Sequence, residues 1–590
     1  MFTTIDLFAG AGGLSKGFEQ TGRFKIVLAA ENNSNAVATY RKNHPNTEIR
    51  DDVRSIDYIE VRRKYGTVDL VIGGPPCQGF SNANRQKAAI SANNGLVKEF
   101  VRAVRELKPA MFVMENVSML KSETHRFYYT ANDKEELDRL HIPIEDDSIA
   151  LTKFFPELSD AIEDIKVSLD RYQDYIWDDN FFHVVNMLYK RLSDDDKFNS
   201  SWKKNACRLK KYALSKERSL PVNVVGDAYR KLYKAIVSTS GDEKKLSELK
   251  ETVRIANQFQ RLYRQYRDVV SNNVAVSGFD WEKGIAVKVK SYSVFDYIKC
   301  SFEGEVFPYK INCAVLNAAN FGAPQRRERF VIIGSRIGET PLMPQPIYKK
   351  TNYRTVRDAI EDLELLIPST DPNANSLPLP PYDTSGKPLM KLLRDSRRIE
   401  NHFITATRST AQERFDALKE GGNFHTLPDR LKSTYSDGKR TQSTIYLKLK
   451  YDEPSGTVVN VRKSMWVHPA ISRAISVREA ARLQTFPDSY IFKGPKDSQY
   501  QQVGNAVPPI LAKAIANQII HYMDTHRETG WRERLLIEVL SDPESTQKEL
   551  AERLCVSQAT ISNYVHTLIN EGRIERSLFG GRRIKWIVKT

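Results

Sequence analysis

Cysteine is scarce in this chain, with five in 590 residues. They are scattered, give no disulfide framework and suit a reducing cytosol. No Cys/His spacing would bind a metal. No apolar run approaches the roughly 20 residues that a membrane-spanning helix needs. A signal peptide is also missing, since the chain enters its first expected strand at once. Internal repeats and long low-complexity tracts are absent, which excludes a solenoid. Acidic residues are outnumbered, 73 Asp and Glu against 89 Lys and Arg, for a formal charge of +16 and a pI near 9.3. That balance favours a polyanionic partner. With 41% hydrophobic residues in 590, several cores and more than one domain are expected.

The most informative stretch is GGPPCQGFS, residues 73–81. The run Val68–Ile72 reads as a buried parallel strand that two glycines and two prolines stop abruptly. Cys77 is thereby held on a stiff turn at the strand's carboxyl end, the edge where open α/β sheets place their ligands. A lone cysteine is more often a small core residue, but a Gly/Pro cage suits core filling poorly. A reactive thiol, with a free pKa of about 8.5, needs electropositive neighbours.

Two further motifs end at the same edge. MENVSML, residues 114–120, follows the strand-like AMFVM and puts Glu115 there, where burial can make it an acid or a partner for a ring nitrogen. QRRERF, residues 325–330, runs into FVIIG. Strand alternation places Gln325, Arg327 and Arg329 on one face and Arg326 and Glu328 on the other.

A third element, DLFAGAGGLSKGF, residues 6–18, reads as a strand over Thr4–Phe8, a glycine turn and a helix from Leu14. Such a turn cradles a nucleotide-like cofactor on backbone amides. The glycines lack the spacing of the dinucleotide fingerprint, so a phosphate-free adenosine cofactor fits at least as well. IVLAAENN then ends in Glu31, placed for ribose hydroxyls, and IRDDVRSID carries Asp52, placed for an adenine amino group.

With a late QVGNAVPP at 502–509 and REAARLQTFPD at 478–488, these motifs resemble, in order, the DNA (cytosine-5)-methyltransferase family. The resemblance spans most of residues 1–520. It implies a Rossmann-like α/β fold dependent on S-adenosyl-L-methionine, with a smaller target-recognition domain. Cys77 would add to C6 of a flipped cytosine, Glu115 would hold N3 and the amino group, and Arg327 would stabilise O2. The cofactor would be held by Phe8, Gly10, Ala11, Gly13, Leu14, Glu31, Asn32, Asp52, Val53, Pro75, Leu96, Asn505 and Ala506. Gln78, Ser81, Gln325, Arg329 and Arg462 are the expected DNA contacts of this part, and no metal is expected.

The expected organisation is a catalytic domain over 1–120 and 296–336, a helical insertion over 121–295, a target-recognition domain over 337–475 and a return to the catalytic domain over 476–525. The insertion carries an amphipathic pattern from Leu246 to Val269 and basic residues at 203–211. Within the target region, 367–388 is rich in proline and reads as a linker. Residues 531–590 read as three helices and a hairpin, resembling a winged helix-turn-helix. Its third helix would turn Gln558, Thr560 and Asn563 to the major groove, with Arg582 and Arg583 on phosphates. The expectation is a monomeric cytoplasmic, nucleoid-associated enzyme acting on double-stranded DNA, away from membranes, beside restriction or defence-system proteins. The alternatives are a tRNA cytosine-5 methyltransferase and a DNA-binding regulator.

Overall fold

The computed structural model describes residues 1–76, 95–121, 125–216, 220–239, 242–304, 308–371, 376–433, 435, 438, 441–554, 556–579 and 583–589. The chain forms two compact units, one of 1–77, 95–121 and 301–590, the other of 78–94 and 122–300.

Strands β1 (Phe2–Leu7), β2 (Phe24–Ala30), β3 (Glu48–Arg50), β4 (Leu70–Gly73) and β5 (Met111–Asn116) belong to the first unit. The second unit holds β6 (Arg126–Tyr128), β7 (Glu145–Lys153), β8 (Val276–Asp280) and β9 (Gly284–Ser293). The first unit resumes with β10 (Lys310–Asn317), β11 (Glu328–Ser335), a short pair β12 (Leu377–Pro378) and β13 (Arg398–Ile399), and finally β14 (Ile574–Phe579) and β15 (Arg583–Val588).

The main sheet has the order β10-β11-β5-β4-β1-β2-β3. β1 to β5 are parallel, while β11 runs antiparallel to both β5 and β10. From β1 the chain steps outward to β2 and β3, then crosses back to β4 on the other side. The crevice between the carboxyl ends of β1 and β4 is thus the topological switch point, where such sheets bind ligands. Both the FAGAGG turn and the GGPPC loop leave the sheet there.

One face of the sheet is covered by the helix Pro509–Thr525, whose Leu511, Ile515 and Ile519 join Leu70, Ile72, Val113 and Val331 in one core. Each such side chain contributes about 1.5–3 kcal/mol on full burial. The helix Gly13–Glu19 lies so close to it that a Cβ on Gly17 would stand 2.4 Å from the Pro509 carbonyl. The expected target-recognition segment divides between two cores. Val356, Ile360, Leu389, Leu393, Phe403, Tyr451 and Trp466 pack with Val477, Leu483, Phe486, Tyr490 and Val503 of the return segment. A separate small core gathers Phe415, Leu418, Phe424, Leu427, Leu431 and Tyr446. The stretch expected as a linker is tied down over its second half. Tyr382 and Lys387 bond Glu361, Arg394 pairs with Asp362, and β12 pairs with β13.

The second unit differs from its helical expectation. The helix Glu243–Ser271 does bury Leu249, Val253, Phe259, Leu262 and Val269 in one core, with Leu246 and Tyr266 at its margin. It packs, however, with a four-stranded antiparallel sheet of β6 to β9. The signal was in the sequence, because β9 (GIAVKVKSYS) alternates apolar and polar residues. Lys203, Lys204, Arg208 and Lys211 are exposed on the helix Asp195–Lys216, while Lys210 donates to the Thr239 carbonyl.

At the carboxyl end the helices Arg527–Ser541, Gln547–Arg553 and Gln558–Asn570 and the β14–β15 hairpin share a core of Leu535, Leu536, Val539, Leu550, Ile561, Val565, Leu568 and Trp586. Thr546 and Glu549 form a capping box at the second helix, each satisfying an amide that the helix leaves unbonded.

Candidate active site and cofactor cradle

The glycine turn after β1 is built by close approach. Gly10 and Gly12 have φ of +55° and +82°, the left-handed region that glycine enters freely. A Cβ on Gly12 would stand 2.5 Å from Tyr490 Oη, and one on Gly13 would stand 2.4 Å from the Val507 carbonyl. Tyr490 also donates to the Ala11 carbonyl and bonds His44 Nε2 at 3.0 Å. The turn is therefore packed from behind by the Phe486–Tyr490 and Ala506–Val507 segments, while nothing lies within 4 Å of where a Gly10 Cβ would be. The open side is a cradle.

Glu31 closes one wall of that cradle. Its carboxylate accepts from Gly10 N at 2.9 Å and from Asn33 N at 2.8 Å, one oxygen each. A second lone pair on each oxygen remains for a ligand hydroxyl. Asp52 caps the turn Val53–Ser55 and is gripped by the Arg54 guanidinium at 2.7 Å, which holds its carboxyl below the usual range. Its Oδ1 accepts from Arg54 N and Nε, and its Oδ2 from Arg54 Nε and Nη2. Phe8 is half-buried at φ +59°, Ala11, Gly13, Leu14, Val53 and Pro75 are buried, Leu96 is half-buried and Asn32 is exposed. Asn505 is exposed and accepts from Gln501 at 2.8 Å, with Ala506 buried beside it. Under the turn, Asp6 accepts from Ser15 Oγ at 2.6 Å, and burial pushes its carboxyl up to about 7.

The chemistry-bearing groups meet at the neighbouring strand ends. Cys77, Gln78 and Ser81 lie outside the described residues. The described segment before them is tied to β5, because Asn116 Nδ2 donates to the Pro75 carbonyl at 3.0 Å. A Cβ on Gly74 would stand 2.9 Å from Glu115 Oε2, so this glycine is what lets the loop pass the carboxyl group. Burial raises the Glu115 carboxyl above its ordinary range, with Arg329 and then Arg327 opposing the shift. Asn116 belongs to the ENV motif but was given no role from sequence.

The arginine beside Glu115 is not the expected one. Arg329 Nε lies 2.6 Å from Glu115 Oε1. Arg327 is 1% exposed and donates at 2.9 Å to both the Val458 and the Gly504 carbonyl, which ties its Nη1 and Nη2 into the core. The register explains the difference. Val331 stands opposite Glu115, and Arg329 is its same-face neighbour two residues on. Arg327 lies beyond the end of β11 and turns into the core.

Two expected DNA contacts are likewise engaged elsewhere. Gln325 is fully buried, donates to the Leu483 carbonyl and Gln484, and accepts from Val458 N. Arg462 bonds Thr405 Oγ1 at 3.0 Å and pairs with Asp497 at 2.7 Å. In the winged unit Gln558 and Asn563 are exposed and Thr560 is half-buried next to Ser557. Arg582 lies outside the described residues, and of Arg583 only the backbone, the first residue of β15, is described. Among the described residues no helix is long and apolar enough to cross a membrane.

Comparison with known proteins agrees with this geometry. Residues 2–141 and 286–521 match the family model of C-5 cytosine-specific DNA methylases, and 532–575 match that of winged helix-turn-helix DNA-binding domains. The chain is 27% identical to the type II methyltransferase M1.HphI of Haemophilus parahaemolyticus, over 88% of this chain and 86% of that protein. It is 23% identical to the type II methyltransferase M.DdeI of Desulfomicrobium norvegicum, over 95% and 96%. With the DNA (cytosine-5-)-methyltransferase M.ApeKI of Aeropyrum pernix it shares 26% identity, over 89% and 99%. A family model that covers well over half of the chain, on a sheet whose switch point carries that family's motifs, places the protein among the C-5 cytosine-specific DNA methylases, with a winged helix-turn-helix domain added at its carboxyl end.

Proposed function

We propose that the protein methylates C5 of cytosine in double-stranded DNA at a specific sequence, as the modification enzyme of a restriction or defence system. The observation that carries this reading is the Glu115–Arg329 pair at the carboxyl edge of β5, beside the loop that leads to Cys77. Several relatives are named type II methyltransferases, which supports the setting.

The cradle fits an adenosine cofactor with a sulfonium group, S-adenosyl-L-methionine. Glu31 would hold the ribose hydroxyls, Asp52 the adenine amino group, the turn Phe8–Leu14 the middle of the molecule, and Asn505 with Ala506 its methionine end. When bound, that cofactor supplies the methyl group as an electrophile.

The chain's own residues prepare the base. C5 of cytosine is a poor nucleophile inside an intact ring, and C6 is hidden in the duplex, so the base must be flipped out. The Cys77 thiolate forms a bond to C6, and the ring electrons move to give an enamine whose nucleophilic carbon is C5. Negative charge grows toward N3 and O2. Glu115, its carboxyl raised by burial, holds a proton at N3 and accepts from the amino group. Arg329 takes the place beside O2 that the sequence suggests for Arg327, and acts as a fixed positive charge there. Loss of the C5 proton with departure of the Cys77 sulfur restores the aromatic ring of 5-methylcytosine.

Bisulfite sequencing of DNA from cells expressing the protein tests this directly. Protected cytosines are expected within one short sequence, and none with Cys77→Ser, whose hydroxyl is far less nucleophilic. Cys77→Ser should also fail to trap duplexes containing 5-fluorocytosine, which lack the C5 proton needed for release. Protection persisting in the serine variant would overturn the covalent route.

A further inference from the structure

The sheet has two edges, and the winged domain is fastened to the one opposite the chemistry. Arg534 lies 2.5 Å from Asp69, Arg62 pairs with Glu538, and Thr67 Oγ1 donates to the Arg553 carbonyl at 3.1 Å. Thr67 and Asp69 immediately precede β4, and Asp69 also accepts from Thr3 N in β1 at 2.7 Å. Glu538 and Asp69 are only 5% and 8% exposed. These are packed ion pairs, and Asp69 keeps the Thr3 N–H as a second partner. Asp69 stands at one end of β4 and the Gly73–Pro75 turn at the other, about 13 Å along the strand.

The DNA-facing features of the winged domain remain free of this docking. Ile561, Val565 and Leu568 of the helix Gln558–Asn570 point into the domain's core. Gln558, Ser562, Asn563 and His566 on its opposite side are exposed. The helix contains no acidic residue, and residues 573–589 carry six Arg or Lys against one Glu. Arg534 and Arg553 are committed to Asp69 and Asp542, as Arg573 and Lys589 of the hairpin are to Glu533 and Glu575. An uncharged polar helix face suits the base edges of a duplex groove.

A single short duplex cannot serve both edges. Bending 20–30 base pairs smoothly by 40–90° already costs about 1–6 kcal/mol, and passing from one edge of the sheet round to the other requires a sharper return. We propose that the winged domain holds a second segment of duplex DNA, so that one molecule binds two segments at once. The first of these rests on the methylation reading above; the second does not.

The test immobilises a biotinylated duplex of about 20 base pairs carrying the mapped target sequence, adds full-length protein, and measures retention of sheared fluorescent genomic DNA at low salt. Retention is expected at one protein per immobilised duplex. The double variant Gln558→Glu, Asn563→Glu, which places two negative charges on the exposed face, should lower retention at least tenfold. Methylation of the short duplex should stay within twofold, which also reports that the variant is folded. The proposal is overturned if wild-type protein retains no second DNA, if two proteins are needed per sandwich, or if the variant loses short-duplex methylation in step with retention. Failure of the methylation reading would look different, with fluorescent DNA still bound by the variant-sensitive face and no methyl mark on the short duplex.

Discussion

The amino and carboxyl edges of the main sheet are finished in opposite ways. At the amino edge Asp69 and Glu538 each face an arginine at ion-pair distance, and the covering domain leaves little exposed. At the carboxyl edge the carboxyl groups of Asp6 and Glu115 are buried with their charge opposed only in part, and both are pushed upward. Gly10 opens onto space there, and Gly74 clears a path beside Glu115. An edge that is only structural can pair its buried carboxylates with cations. One that receives a substrate keeps groups whose satisfaction waits for a ligand, and perturbed carboxyl groups gather at it.

If that contrast is physical, Asp6 should give the largest effect. Its carboxyl lies at about 7 in the folded protein against 3.8 as a free group, mainly through burial. A carboxyl raised on folding contributes stability that is complete below the free value and is lost as pH rises through about 7. Folding stability should therefore fall by on the order of 4 kcal/mol between pH 4 and 8 from this group alone. Urea unfolding of Asp6→Asn should show that slope removed, and an unchanged slope would mean that Asp6 is ionised in the fold.

The two arginines sharpen the comparison next. Arg329→Ala should cost about 10²–10³ in the methylation rate, the range for removing one preorganised donor. Thermal unfolding should hardly move. Arg327→Ala should instead destabilise by about 2–5 kcal/mol, because two buried carbonyls lose their partner. Single-turnover assays with parallel melting curves separate the two, and exchanged outcomes would return O2 stabilisation to Arg327.

A smaller effect is expected from Glu31→Ala. Cofactor affinity should weaken by about a hundredfold by calorimetry, with little change in the rate at saturation, because a ribose contact is made equally in ground and transition states. A lost rate with intact affinity would remove Glu31 from the cradle wall. The smallest belongs to the amino edge. Arg534→Ala should destabilise by about 1.5 kcal/mol, the scale of one charged hydrogen bond. It should leave the methylated sequence as it was, since that edge takes no part in choosing the target. A shifted or relaxed target sequence would join the two edges functionally.

Much of the site is visible in the sequence because its elements are local. Strand, glycine turn, strand with terminal acid, and Gly/Pro-stopped strand each declare themselves within ten residues, through continuous apolar runs and residues that only a tight turn needs. The helix Gln558–Asn570 shows its inward stripe in the same way, at Ile561, Val565 and Leu568. Other assignments failed where alternation alone is silent. Alternation alone puts Gln325, Arg327 and Arg329 on one face, but it cannot say that the strand begins only at Glu328, so that Arg329 alone of the three lies in β11. The sheet in the second unit was overlooked because helical periodicity dominates the sequence between its strands.

The sequence by itself determined the chemistry available at the carboxyl ends of β1, β2, β4 and β5, since glycine and proline shape the turn through their own backbone and each carboxylate sits where its own strand ends. Only the tertiary structure decided which arginine serves Glu115, because that depends on the antiparallel register that sets Val331 opposite Glu115. It also decided where the winged domain sits. Asp69 and Arg534 are separated by hundreds of residues, and a packed ion pair between them exists only once both desolvated surfaces have met.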